Sequence, residues 1–156
     1  GDNNRAIVGE QGETLASFDN SSVIDQSGDG NLADVDQDGD NGMSRVAQSG
    51  NSNEAFVMDQ NGDSNESLIE QSGDSNLAMV NDQGLESGAN GDGNLSDIMQ
   101  SGNANMAFVN QGSNLNDSFI VQTGDDNTAT VDQSASDGNV SNIAQAGSLN
   151  VATVSQ

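Results

Sequence analysis

The side chains in this chain able to act as acids, bases or ligands are almost all carboxylates. Twenty-five Asp and Glu stand against Arg5 and Arg45, with no Cys and no His. Without a thiol or an imidazole, neither the common nucleophile–base pairs nor zinc–thiolate centres can be assembled. Carboxylates alone support acid–base work in a pocket that perturbs them, or the binding of hard cations. One segment has spacing for the second: Asp34-x-Asp36-x-Asp38-Gly39 matches the first half of an EF-hand loop. Its twelfth position, where a bidentate Glu belongs, is Arg45, so the match reads instead as the outer face of a strand running into its turn. The expectation is no enzyme, no cofactor, no metal site and no catalytic residue.

The residues whose spacing is not accidental are amides. An eleven-residue phrase recurs: Asn, any, Ala or Ser, any, Val or Ile, any, Gln, any, Gly, then two more before the next Asn. Six copies run without a gap: Asn20-Ser22-Ile24-Gln26-Gly28, Asn31-Ala33-Val35-Gln37-Gly39, Asn65-Ser67-Ile69-Gln71-Gly73, Asn94-Ser96-Ile98-Gln100-Gly102, Asn116-Ser118-Ile120-Gln122-Gly124 and Asn139-Ser141-Ile143-Gln145-Gly147. Altered copies lie between them. Asn53-Ala55-Val57-Gln60-Gly62 and Asn76-Ala78-Val80-Gln83-Gly84 carry an extra residue before Gln, as a bulge would. Gly42 replaces Asn before Ser44-Val46-Gln48-Gly50, while Asn105-Ala107-Val109-Gln111 and Asn127-Ala129-Val131-Gln133 vary only around the Gly. Asn4-Ala6-Val8-Gln11 and Asn150-Ala152-Val154-Gln156 complete thirteen units. The chemistry this pattern supports is hydrogen bonding between identical primary amides, each with donors and an acceptor to satisfy.

Such columns need an element that repeats its side-chain direction every second residue, and that element is the β-strand. Gly- and Asp-rich tetrads such as Ser27-Gly28-Asp29-Gly30 read as tight turns between strands. Ser-type units, beginning at 20, 42, 65, 94, 116 and 139, alternate strictly with Ala-type units, so the structural period is a 22-residue coil of two unlike strands. The predicted fold is an all-β solenoid of about 6.5 two-strand coils, with two parallel in-register sheets that become cross-β on polymerisation. It is one repeat domain, 1–156, with an N-terminal half coil at 4–19 and coils at 20–41, 42–64, 65–93, 94–115, 116–138 and 139–156. Loops are expected at 13–19 and in the insertion 84–93. The Asn, Ser or Ala, Ile or Val, and Gln of each unit form the inner columns, and the six glycines from Gly28 to Gly147 in the ungapped copies mark turns.

Alternate positions face outward and carry charge, including Asp25, Asp34, Asp36, Glu54, Glu66, Glu70, Asp97, Asp117 and Asp132. Outward apolar residues, Phe56, Leu95, Met99, Met106, Phe108, Phe119 and Val121, are either scattered surface hydrophobes or a strip for lateral contact. The net charge of −23 is the wrong sign for a nucleic-acid backbone or an anionic lipid surface, and no apolar run is long enough for a spanning helix. The opening Gly1-Asp2-Asn3-Asn4 lacks a charged-then-apolar leader, so any export signal is expected to have been removed. The Asn-x-Ser sequons at Asn20, Asn65, Asn94, Asn116 and Asn139 arise from the strand phrase and imply no glycosylation.

The repeated Asn-x-Ala-x-Val-x-Gln and Asn-x-Ser-x-Ile-x-Gln-x-Gly phrases resemble the curlin repeat family, the subunits of bacterial curli fibres. The resemblance implies a β-solenoid that is secreted across the outer membrane and grows as an extracellular amyloid fibre, in biofilm matrix and surface adhesion. It implies as partners further copies of the chain, a nucleator subunit and the outer-membrane secretion machinery. The regular, uncharged Asn150–Gln156 unit favours the fibre-forming major subunit over the nucleator. The strand edges expected to meet in polymerisation carry Asn4, Ala6 and Val8 at one end and Asn150, Ala152 and Val154 at the other. The alternatives are the nucleator itself, or a monomeric solenoid that binds ice or calcium; an ice-binding face would need ranks of Thr, and only Thr128 and Thr130 stand so.

Overall fold

Residues that recur two apart can all be buried on one side only if the backbone is extended. The computed structural model describes residues 1–11, 19–84 and 91–156, and these contain thirteen strands and no helix. The odd strands are β1 (Arg5–Gln11), β3 (Leu32–Gln37), β5 (Glu54–Gln60), β7 (Leu77–Gln83), β9 (Met106–Gln111), β11 (Thr128–Asp132) and β13 (Val151–Ser155), and they stack in that order as a seven-stranded sheet. The even strands are β2 (Ser21–Ser27), β4 (Met43–Ser49), β6 (Glu66–Ser72), β8 (Leu95–Ser101), β10 (Asp117–Thr123) and β12 (Val140–Ala146), which form a six-stranded sheet. Every neighbouring pair is parallel, so the chain crosses from sheet to sheet as a β-solenoid of about six turns. The expected loops at 13–19 and 84–93 lie mostly outside the described residues.

Register places like on like. In the seven-stranded sheet Ala33, Ala55, Ala78, Ala107 and Ala129 stack over one another, as do Val35, Val57, Val80, Val109 and Val131. In the other sheet Ser22 to Ser141 form one column, and Ile24, Val46, Ile69, Ile98, Ile120 and Ile143 another. The Ala, Val and Ile columns are the whole apolar core. Facing sheets leave about 10 Å between them, enough for these side chains and too little for repeated aromatics. Where Val57 and Gln60 are separated by one residue more than Val35 and Gln37, the register shifts, returning Gln60 to its column. The same happens between Asn81 and Gln83 against β9.

The turns hold a feature the residue types do not announce. The residue immediately before each unit has a left-handed backbone: Asn3, Asp19, Gly30, Asn41, Ser52, Ser64, Ser75, Gly93, Ala104, Leu115, Asp126, Gly138 and Leu149, with φ between 54° and 71°. This turn presents the residue's N–H to the coil before it, as Ser52 donates to the Asp29 carbonyl, Ser75 to Asn51 and Ala104 to Asp74. Beside it runs a glycine column, Gly28, Gly50, Gly73, Gly102, Gly124 and Gly147, with φ of 95° to 117°. A Cβ on Gly50 would lie 2.0 Å from the Gly73 carbonyl oxygen, so the coils close to their spacing only without side chains there. Gly39 stands in a second column at the opposite corner, over Gly62.

Candidate functional site: amide columns and open strand edges

Glutamine at the end of each strand is drawn inward by the alternation and finds amides rather than water. In the six-stranded sheet Gln26, Gln48, Gln71, Gln100, Gln122 and Gln145 form one column. Each Nε2 donates to the Oε1 of the next, at 2.8 Å from Gln48 to Gln71 and 2.9 Å from Gln100 to Gln122. The second donor of each amide crosses to a backbone carbonyl at the start of an odd strand, as Gln71 does to Glu54 and Gln100 to Leu77, both at 2.9 Å. Gln37, Gln60, Gln83, Gln111, Gln133 and Gln156 repeat the column on the other sheet.

The alternation of Ser-type and Ala-type units follows from this second column. Ser67 Oγ donates to Gln83 Oε1 at 2.9 Å and accepts from Gln60 Nε2 at 2.7 Å, tying two successive glutamines of the opposite sheet together. Ser96 stands likewise between Gln83 and Gln111. The glutamines of the six-stranded sheet instead donate their second hydrogen to backbone carbonyls, so the opposing strand position can be Ala.

The asparagines work differently from the glutamines. Their side-chain oxygen accepts a backbone N–H from the next coil: Asn31 Oδ1 from Asn53, Asn53 Oδ1 from Asn76, and Asn65 Oδ1 from Asn94, at 2.9 to 3.0 Å. The Nδ2 of Asn31 donates to the Gly50 carbonyl and that of Asn76 to Gly102, both at 2.8 Å. An Asn thus closes the corner that the left-handed residue opens, and its column couples side chain to backbone.

These partners explain how so polar a core stays dry. Asn31, Gln37, Asn65, Ser67, Gln71, Asn94, Ser96, Gln100, Asn116, Ser118 and Gln122 are buried along with Ala33, Val35, Ile69, Ile98 and Ile120. Ser141, Ile143 and Gln145 are buried in the β12 coil, whereas Asn20, Ser22, Ile24, Gln26 and Asn139 are half-buried. At the ends the same columns lie open. Val8 is 46% exposed where Val35, its partner in register, is 0%. Ala6 is exposed, and Asn4, Asn150, Ala152 and Val154 are half-buried, although Ala152 and Val154 pair with the buried Ala129 and Val131. The edges of both sheets, β1 and β13, β2 and β12, therefore carry unpaired backbone flanked by inward columns with no neighbour beyond.

On the outer faces, Asp34 and Asp36 alternate with the buried Val35 on β3. Among the described residues no group of three or more carboxylates converges as metal ligands would. Phe56, Met79 and Phe108 stack in register on the seven-stranded sheet. On the other sheet Arg45 bridges Glu70 at 2.8 Å. Asp97 sits in register between Leu68 and Phe119, and its Oδ1 is buried without a hydrogen-bond partner. Burial, then the charges of Glu70 and Glu66, push its carboxyl above the usual range.

Parallel strands in unbroken register, with identical amides stacked through the interior, define a β-solenoid repeat protein whose units interlock along one axis. Two segments, residues 18–50 and 58–84, match the family model of the curlin associated repeat. The chain carries curlin repeats there, in support of the resemblance read from its phrases. No curated protein and no solved structure matches the chain. The sequence reading did not include the left-handed residue before each unit, because only Gly30, Gly93 and Gly138 among the thirteen signal it by type. Nor did it include the serine bridge, for which the strict Ser–Ala alternation was the available signal.

Proposed function

We propose that this protein is a structural subunit of an extracellular fibre of the curli type, adding end to end through its open strand edges. The observation that carries this reading is the contrast between interior and ends. The same Asn, Ala, Val and Gln columns that are sealed between coils are uncovered at β1 and β13, in the register that a further coil would need. A second copy whose Asn4, Ala6 and Val8 meet Asn150, Ala152 and Val154 would continue each column, and a parallel in-register stack has no geometric end. Secretion, a nucleator subunit, an outer-membrane channel and a role in biofilm matrix and adhesion belong to the same proposal and rest on the curlin resemblance. The regular Asn150 unit, which stacks on Asn127, supports the fibre-forming subunit.

Seeded elongation tests this. Denaturant-free subunit, followed by sedimentation and electron microscopy, is expected to give unbranched fibres, faster with preformed seeds. Fibre diffraction should show a meridional spacing of about 4.7–4.8 Å. A subunit that folds, stays in the supernatant and ignores seeds would remove the reading.

A further inference from the structure

The outer face of the six-stranded sheet is not flat. Between two side-chain columns runs a straight, shallow groove of about 450 Å³, crossing β2, β4, β6, β8 and β10. One wall is a run of hydroxyls from Ser27 to Thr123, each in register with the next. The other wall is the column Asp25, Ala47, Glu70, Met99 and Val121. The two columns are two residues apart on the same strands, hence separated by about 6.7 Å, and five strands span about 19 Å along the stack.

We propose that this groove is a binding site for an elongated, flat organic cation lying along the stacking axis. Its two ends differ in chemistry. Ala47, the smallest residue of its wall, leaves a notch between the carboxylates of Asp25 and Glu70, where positive charge is favoured. Met99 and Val121, 40% and 38% exposed, supply an apolar floor further along for the body of the ligand. No basic residue lines the groove; Arg45 stands in the neighbouring column and holds Glu70 Oε1. Strand carboxylates at Asp25, Glu66, Glu70, Asp97 and Asp117 outnumber that one cation on this face, so the field draws cations and repels anions. A flat, stiff ligand matches because the walls are straight and in register, and it has little conformational entropy to lose.

The groove is complete within one subunit, so the inference rests on the coil stack alone and survives if end-to-end growth does not occur. The test uses folded subunit shown by sedimentation to be unassembled, titrated with a benzothiazolium dye as the cation and with a sulfonated planar dye of similar length as the anion. A single site per subunit is expected for the cation, with the anion weaker by about tenfold or more. Ala47→Arg, which fills the notch with bulk and positive charge, should weaken the cation by about tenfold or more, while Thr130→Arg, the same charge on the opposite sheet, should change it by less than about twofold. Ser72→Phe blocks the groove from the other wall without changing charge and reads the same answer if Ala47→Arg does not fold. Equal weakening by both arginine variants, undiminished binding to Ser72→Phe, equal affinity for the anion, or cation binding that appears only after fibres form would each overturn the proposal.

Discussion

At the scale of single residues, Gln100 shows why a polar core is tolerated. Its amide accepts from Gln71, donates to Gln122 and donates to the Leu77 carbonyl, each at 2.9 Å, within a coil that excludes water. Gln100→Ala would strand three buried groups at once, a loss of about 3 kcal/mol or more, read as a lower urea midpoint of the unassembled subunit. Gln26→Ala, at the half-buried start of the column, should lose much less. Asp97 is the opposite case, a carboxylate placed where its charge is disfavoured. Its folded form keeps its proton to higher pH than the unfolded chain does. As pH rises from the ordinary carboxylate range through that raised value, the unfolded state has already released its proton, so stability falls and stays lower above. Asp97→Asn is therefore expected to stabilise the subunit near neutral pH, with the advantage vanishing in acid below the ordinary carboxylate range. Denaturant melts across that span check it, and an advantage independent of pH would show that the charge is not the cause.

At the scale of elements, the strands were legible and their joints were not. A period of two marks which side of β2 to β12 is buried, and the extra residue before Gln60 and Gln83 already locates the register shifts seen against β3 and β9. The joint before each unit is different, because backbone hydrogen bonding between coils imposes its left-handed φ on whatever residue is there. Ala104 and Leu115 adopt φ of 54° and 56° with nothing in their side chains to favour it. Relief of that strain is measurable: Ala104→Gly should raise stability by about 1 kcal/mol, although the unfolded chain gains freedom that offsets part of it. An unchanged or lower midpoint would mean that φ is not strained there. The groove was also hidden from the sequence, since its walls depend on which outward residues register places side by side. Outward charge follows a rule that only register reveals. No two carboxylates are paired along an outer strand column: Glu66 lies against Leu95 and Met43, Glu70 against Ala47 and Met99. Acids do stack at the turns, as Asp40, Asp63 and Asp92, but there each receives or gives a backbone N–H contact at 2.9 to 3.0 Å.

For the whole molecule, a net charge of −23 opposes association at a distance, so growth must depend on contacts made only when ends are in register. The glycine column offers a way to separate folding from growth. Along the stack, a Cβ on each glycine points toward the carbonyl of the next coil's glycine: on Gly124 it would lie 2.1 Å from the Gly147 oxygen, and on Gly1 it would meet Gly28 in the same way. On Gly147 itself the nearest atom is Asn150 Nδ2 at 3.8 Å, an ordinary contact. If a second copy adds with its β1 on β13, its Gly1 carbonyl takes the place over Gly147 that Gly147 takes over Gly124. Gly147→Ala should therefore leave a folded subunit, weakened by about 1 kcal/mol through its positive φ, yet slow seeded elongation by about tenfold or more. Gly124→Ala, with the same change inside the stack, should prevent the coil from closing at all. Circular dichroism of the subunit and elongation from wild-type seeds distinguish the two variants. Elongation of Gly147→Ala at the wild-type rate would mean that the column does not run across the junction.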